Sequence, residues 1–200
     1  RIDHAQLEKY HEGLICSSAC IAGEVSHYLD EDPKGGNNDA KAEEIARWYK
    51  GVFGDDYYLE VMLHNSRKTN IPGVAIDDHR RLFARQKRIV EKMVELGRKL
   101  DIPVIATNDV HFLDAADDDS HDVLLALSTG KKMSDTGRMI YTGQEYFKTE
   151  DEMKTLFPDH PELLAATKEV ADRIEEYELN SDPIMPKFPI PESFGTEEQY

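Results

Sequence analysis

Short apolar runs separated by helical patterns are the feature that most limits what this chain can fold into. The runs lie at Leu14–Ala19, Tyr57–Leu63 and Pro103–Thr107, and each has a length typical of a buried strand. The stretches between them carry apolar residues at three- and four-residue spacings, which is the pattern of amphipathic helices. Apolar strands joined through helices predict a parallel sheet built by right-handed crossovers. The predicted fold class is therefore α/β.

Helices are predicted where apolar spacing coincides with capping signals. Thr149 and Glu152 form a capping box, and Asn38 or Asp39 suits the start of another helix after the turn-rich loop at 32–38. A fourth short strand is expected at Glu145–Lys148. The strands could belong to a barrel or to an open sheet, and about four of them are too few to close an eight-stranded barrel. The expected helices are Ala5–His11, a brief one opened by Gly23, one from Asn38 or Asp39 to near Gly54, Leu82–Leu100, Ser120–Leu127, Thr149–Phe157 and Leu163–Tyr177.

Composition excludes several classes of function. The 200 residues carry a formal net charge of −16, which repels phosphate backbones, so this chain by itself is not expected to bind DNA strongly. No apolar run is long enough to span a membrane. The two cysteines, Cys16 and Cys20, do not form a secreted disulfide framework and favour a reduced, cytoplasmic protein. Because the chain starts at Arg1 without a methionine, we interpret it as cut from a longer protein.

Metal-competent groups follow each of the three best strands. Cys20 follows the first run, His64 the second, and Asp109 and His111 the third. In parallel α/β folds this end of the strands is where sites are built, and thiolate, imidazole and carboxylate bind zinc, manganese or iron. In an extended segment, Asp109 and His111 would point the same way because they are two residues apart. The pattern predicts a polar, metal-binding site.

Each of these residues also has a simpler interpretation. Asp109 could cap a turn, and His111 could be a hydrogen-bonded core histidine. Cys20 could be a small buried apolar residue, and His64 could lie on the surface. Glu60 shares the face of His64, and could support the site from behind or pair with a basic neighbour.

Two further residues complete the sequence assignment. His121 begins a helix near the site and is a weaker candidate for a supporting role. Cys16 is assigned to structural packing.

Two segments are the most distinctive in the sequence, EKYHEGLICSSACIAGEV at Glu8–Val25 and ATNDVHF at Ala106–Phe112. Together with other segments in the same order, they resemble the PHP (polymerase and histidinol phosphatase) domain of bacterial replicative DNA polymerase III α subunits. In that resemblance the first segment is similar to the one around the family's ligand cysteine, and the second is the family's most recognisable motif. The resemblance covers nearly the whole chain. Its other segments are Trp48–Glu60, His121–Leu127, Glu145–Phe157 and Pro186–Pro191.

The resemblance implies part of a distorted seven-stranded (β/α) barrel with parallel strands, flanking helices and up to three metal ions. It implies that Cys20, Asp109 and His111 fall on metal-ligand positions, while the family's H-x-H motif does not occur in this sequence. The expected division is a C-terminal PHP portion at 1–180 and a proline-rich strap at 181–200 leading toward the polymerase palm.

The function implied for the parent protein is DNA-directed DNA synthesis in replication, with magnesium in the palm and with DNA, dNTPs and replisome subunits as partners. The PHP portion would be a metal-dependent phosphoesterase, either a 3′–5′ proofreading exonuclease or a pyrophosphatase, or a scaffold. We expect this chain alone to be inactive and its metal site to be incomplete. The alternatives are a stand-alone PHP phosphoesterase, resembling histidinol phosphatases, and a non-catalytic interaction module.

Overall fold

A computed structural model describes residues 2–31, 35–66, 68, 76–186, 189 and 193. Within them the strands are β1 (Cys16–Ser17), β2 (Tyr57–Val61) and β3 (Val104–Ala106), and they form one three-stranded sheet in the order β1-β2-β3. Both pairings are parallel, with Cys16 opposite Tyr57 and Leu59 opposite Val104. The predicted α/β class with parallel strands is confirmed.

Helices connect and cover the strands. Asn38 caps one of them by accepting the Lys41 backbone N–H at 3.0 Å, and the predicted capping box between Thr149 and Glu152 is present. The helices are α1 (His4–Tyr10), α2 (Glu24–Leu29), α3 (Asp39–Phe53), α4 (Ile76–Leu100), α5 (Asp118–Ser128), α6 (Glu150–Leu156) and α7 (Pro161–Asp172), with 3-10 turns at Gly54–Asp56 and Ala115–Asp117.

The core is built around β2. All five of its residues are buried, and Tyr57 and Leu59 have no exposed surface. The helices α3 and α4 pack against β2, and Met93 of α4 is also fully buried. Burial of both faces explains why β2 is apolar at every position except Glu60, because a half-exposed strand would alternate with polar residues. Cys16 packs against this core, as predicted.

The outer edge of β3 is covered by α7. The backbone N–H and carbonyl of Ala106 point away from β2, and the Thr167 side chain accepts from that N–H at 3.1 Å and lies 2.8 Å from that carbonyl oxygen. A single threonine hydroxyl thereby takes the place of a neighbouring strand. This matters because unpaired backbone groups on a strand edge are costly when buried and prone to pairing with another chain when exposed.

The predicted fourth strand at Glu145–Lys148 is reduced to one parallel bridge between Phe112 and Tyr146. The Asn108 side chain donates to the carbonyls of Gln144 and Tyr146 at 2.8 and 2.7 Å, so a side chain holds this segment where a strand ladder was expected.

The last helix is shorter than predicted. It ends at Asp172, and the Ile174 and Tyr177 side chains, which continue its apolar spacing, are 62% and 70% exposed. Arg173 binds Asp56 and the Tyr58 hydroxyl at the exit of α7, so the chain is fixed there by an ion pair. Most of the predicted strap at 181–200, and the start of the loop at 32–34, lie outside the described residues.

The helices among the described residues differ in length and in apolar content. None of them is both long and apolar enough to cross a bilayer.

Gly97 allows α4 to approach β3 closely. A Cβ atom at this position would lie 2.7 Å from the Ile102 carbonyl oxygen and 2.7 Å from the Val104 side chain. We expect Gly97→Ala to lower the free energy of unfolding by about 1–3 kcal/mol through overpacking. Gly51 on α3 is the matched control, because a Cβ there meets nothing within 4 Å. Gly51→Ala should raise stability by up to about 1 kcal/mol from helix propensity. Urea unfolding of both variants checks this, and equal effects would contradict it.

Candidate functional site

A cavity of about 260 Å³ lies at the carboxyl ends of the strands. Cys20, His64 and Asp109 line it, together with Tyr141 and Glu145 from the loop before α6. The three strand ends therefore do gather their polar groups at one place, as parallel strands require. His111 does not line this cavity but contacts Tyr141, which does.

Cys20 is held by a tight turn after β1. Ala19 adopts a left-handed backbone conformation with φ of 61°, and the Gly23 N–H donates to the Cys20 carbonyl at 2.8 Å. A Cβ at Gly23 would lie 2.1 Å from the Ser18 carbonyl oxygen, so only glycine permits this turn. The predicted strand at Leu14–Ala19 is thus shortened to Cys16–Ser17, and Cys20 lies half-buried beyond its end.

Asp109 and His111 are not on an extended strand, and the expectation that they point the same way for that reason is wrong. Asp109 has a φ of 48°, so the chain turns there and alternation along a strand no longer applies. Both residues are exposed rather than buried. The turn brings the His111 ring back onto its own loop, where Nδ1 donates to the Asp109 carbonyl at 2.6 Å.

The tautomer of His111 follows from its two partners. A carbonyl can only accept, so Nδ1 carries the proton and Nε2 of the neutral ring is an acceptor. The Tyr141 hydroxyl lies 2.8 Å from Nε2 and donates to it. Many histidines that bind metals donate Nδ1–H to a backbone carbonyl and bind the metal through Nε2. Here the Nε2 atom of His111 instead accepts a hydrogen bond from the Tyr141 hydroxyl.

His64 is buried and clamped by Gln86 of α4, so a surface position is ruled out. The Gln86 Oε1 accepts the His64 backbone N–H at 2.8 Å, which orients the amide so that its Nε2 donates to the His64 Nδ1 at 3.1 Å. The other ring nitrogen donates to the Asn108 carbonyl at 3.2 Å. Both nitrogens of His64 are therefore occupied, and burial lowers the pKa of the ring from 6.5.

Glu60 supports the sheet and has hydroxyl partners. Its carboxyl group accepts from the hydroxyls of Ser17 and Thr107, the latter at 2.6 Å. Its backbone N–H donates to the Ser18 hydroxyl at 2.8 Å. Among the described residues, no hydrogen bond or ion pair joins Glu60 to a basic side chain, and its carboxyl group instead links the ends of all three strands.

His121 lies beside His111 as expected from its position at the start of α5. The two ring centroids are 5.9 Å apart, and Tyr141 lies 5.1 Å from the His121 ring. The His121 Nδ1 is buried and has no hydrogen-bond partner within the described part of the chain.

Two ion pairs fix the helix that carries His121. Lys68 pairs with Asp118 at 2.6 Å, and Arg138 pairs with Asp122 through two contacts, one of 2.7 Å. The Arg138 hydrogen bond outweighs desolvation and lowers the pKa of Asp122. Because the Arg138 side chain is only 1% exposed, this pair ties α5 firmly to the loop that contains Tyr141.

As arranged, the residues do not fit a metal ion. Within residues 2–31, 35–66, 68, 76–186, 189 and 193, no three His, Cys, Asp or Glu side chains converge closely enough to hold one. The donor types of Cys20, Asp109 and His111 suit zinc or a similar metal, but their geometry is not that of a formed site. The Tyr141 hydroxyl on the His111 Nε2 is one visible reason.

Sequence reasoning missed two residues that contact the candidate histidines, Gln86 and Tyr141. Gln86 lies between Leu82 and Ile89 on the apolar face of α4, and a polar residue inside that stripe was a usable signal of a buried hydrogen bond. Tyr141 follows a turn-rich stretch without periodicity, so no local pattern distinguishes it. Burial raises the pKa of its hydroxyl, and the negative charges of Asp109, Glu145 and Cys20 act in the same direction.

Comparison with known proteins finds a family match over part of the chain and relatives that align over nearly all of it. A family described as PHP domain matches residues 1–64. DNA polymerase III subunit alpha of Borreliella burgdorferi is 35% identical over 202 aligned residues, which cover 100% of this chain. The corresponding subunits of Treponema pallidum and Campylobacter jejuni are 33% and 35% identical over 100% and 98% of the chain.

The resemblance to DNA polymerase III alpha subunits is confirmed. The chain spans about 16% of the length of the Borreliella burgdorferi and Campylobacter jejuni subunits and 15% of that from Treponema pallidum. The PHP match includes Cys20, Glu60 and His64, whereas Asp109 and His111 lie beyond it, in the part that aligns with the polymerase subunits.

The clamp on His64 predicts how this ring titrates. Since the folded chain holds His64 neutral below its ordinary pKa of 6.5, the unfolded chain binds a proton more readily, and this group should reduce stability as the pH falls below 6.5. An NMR titration of the histidine rings measures it directly. His160 is the internal comparison, because hydrogen bonds to Glu162 and Glu91 outweigh burial and raise its pKa. Protonation of His64 at or above the pH at which His160 titrates would contradict the prediction.

Proposed function

We propose that this chain is part of the alpha subunit of a bacterial replicative DNA polymerase, and that it forms the C-terminal portion of that subunit's PHP domain. The alignment with DNA polymerase III alpha subunits over 100% of the chain carries the proposal. The parent protein would then extend DNA from dNTPs with magnesium in its palm, among replisome partners in the cytoplasm. Residues 1–180 would be the PHP portion, and 181–200 the strap toward the palm.

The cavity at the strand ends is proposed as this chain's share of a metal site. Cys20 and Asp109 line the cavity, and the His111 ring is held in the tautomer that leaves Nε2 as the acceptor. Zinc, manganese or iron suits these donors. Glu60 and His64 would support the site, Glu60 by linking the strand ends and His64 by its clamped ring, with His121 beside His111. The remaining ligands would come from other residues of the parent protein, and the chemical class would be phosphoester hydrolysis.

A scaffolding role is the second candidate, and one observation favours it. Both ring nitrogens of His64 and of His111 are engaged in hydrogen bonds within the chain. A PHP portion that keeps this arrangement permanently would support the neighbouring polymerase parts without binding metal. Metal content of the whole subunit separates the two candidates.

The metal content of the whole polymerase subunit should depend on His111. We expect the purified subunit to retain zinc, manganese or iron, and His111→Ala to lose at least one equivalent because an imidazole ligand is removed. His27→Ala is the matched control, since that histidine is exposed on α2 away from the cavity. Elemental analysis after dialysis measures both. Equal metal content in the two variants would count against the site, and no metal in the parent subunit would favour the scaffold.

The 200-residue chain alone is expected to show neither DNA synthesis nor efficient nuclease turnover. Its net charge of −16 opposes DNA binding, and no three metal-binding side chains converge among the described residues. Primer-extension and labelled-DNA degradation assays with added Mn²⁺ or Zn²⁺ test this. Metal-dependent degradation that disappears in Asp109→Ala would overturn the expectation, because it would mean that these residues suffice for a working site.

A further inference from the structure

Helix α5 presents apolar side chains to solvent. Val123, Leu124 and Leu127 are 52%, 61% and 76% exposed, and they share one face because Leu127 follows the other two by four and three residues. The inward face is already used, since Ala126 is buried and Asp122 pairs with Arg138. Within the described part of the chain nothing covers the outer face, and an uncovered apolar patch is typical of a surface that binds another molecule.

Charges of opposite sign lie at the two ends of this face. Asp119 is exposed in the first turn of α5, and Lys131 is exposed just after its last turn. The helix ends because Gly130 takes a left-handed conformation with φ of 66°, and the Lys131 N–H then donates to the Ala126 carbonyl at 2.8 Å. That hydrogen bond fixes Lys131 at the carboxyl end of the helix. Among the described residues, no ion pair takes up the charge of Asp119 or of Lys131.

The order of these groups makes the face complementary to a second copy of itself. A two-fold axis relates identical surfaces, so two α5 helices would pack antiparallel across it. With the axis level with Leu125, Val123 of one copy faces Leu127 of the other, and in the same register Asp119 faces Lys131. Leu124 lies next to the axis and meets its own counterpart. A parallel pair would instead place like charges together at both ends, so charge selects the antiparallel arrangement.

The face is held in place before any partner arrives. Lys68 pairs with Asp118 at 2.6 Å and Arg138 pairs with Asp122, so two ion pairs anchor the helix from its inner side. Association then costs little ordering of the backbone. The net charge of −16 on each copy opposes association at long range. At physiological salt this repulsion is screened beyond about 8 Å, whereas the contacts across the face would be shorter than that.

We propose that α5 is a self-association surface, through which two copies of this chain form an antiparallel helix pair about a two-fold axis. Val123, Leu124 and Leu127 form its apolar centre, and the two Asp119–Lys131 pairs set the register at its ends. The apolar contacts supply most of the affinity, because exposed ion pairs are individually weak. None of these five residues lines the strand-end cavity, so the inference does not rest on the proposed metal site.

Sedimentation equilibrium of the 200-residue chain at physiological salt tests the surface, and it should show a monomer–dimer equilibrium. Leu124→Asp places a charge beside the axis in both copies and should weaken dimerisation by at least about tenfold. Ile184→Asp is the matched control, because it makes the same change of charge at a side chain that is 92% exposed outside the helix, and it should leave the dimer unchanged. A chain that stays monomeric at millimolar concentration overturns the proposal and leaves the face to another partner. Equal effects of the two variants also overturn it.

An exchange of charges tests the register and does not depend on how each variant folds. Asp119→Lys sets two positive charges against each other, and Lys131→Glu sets two negative charges, so either variant alone should dimerise about fivefold more weakly. A mixture of the two should form a heterodimer about as tight as the unsubstituted dimer, because all four end charges then face opposite ones. Energy transfer between differently labelled variants measures this. A mixture that associates no more tightly than either variant alone overturns the antiparallel pair.

Discussion

The arrangement of this molecule depends on one buried carboxyl group at the centre of its sheet. Glu60 is 9% exposed and accepts hydrogen bonds from hydroxyls that follow or belong to the two outer strands, Ser17 and Thr107. A buried carboxyl group is tolerated only when its oxygens are bonded. Satisfying Glu60 therefore fixes the strands side by side at their carboxyl ends, and the turns carrying Cys20 and Asp109 start from that fixed edge.

Hydrogen bonds within the chain also occupy the ring nitrogens of the two histidines near these strand ends. Gln86 and the Asn108 carbonyl occupy both nitrogens of His64, and the Asp109 carbonyl and Tyr141 occupy both nitrogens of His111. The partners differ in kind. His64 is enclosed by a helix and a strand end, whereas the outer partner of His111 is one half-buried side chain.

Much of the fold and part of the candidate site could be predicted from local patterns. The run at Tyr57–Leu63 and the spacing along Leu82–Leu100 predicted β2 and α4 because burial on both faces and a helical apolar stripe leave a direct trace in the sequence. The geometry after β3 could not be predicted this way. Asp109 turns the chain with a positive φ, which residue spacing does not encode, and the assumed alternation with His111 failed there.

The sequence by itself determined the α/β class, the order of helices and strands, the similarity to polymerase III alpha subunits and the types of donor at the strand ends. These depend on periodicity, capping and residue identity, which are local or additive properties. Only the tertiary structure decided that Glu60 binds hydroxyls, that Gln86 clamps His64 and that Tyr141 holds the His111 Nε2. Each of these bonds joins residues at least 22 positions apart, and a hydrogen bond depends on distance and direction in space, which no single segment records.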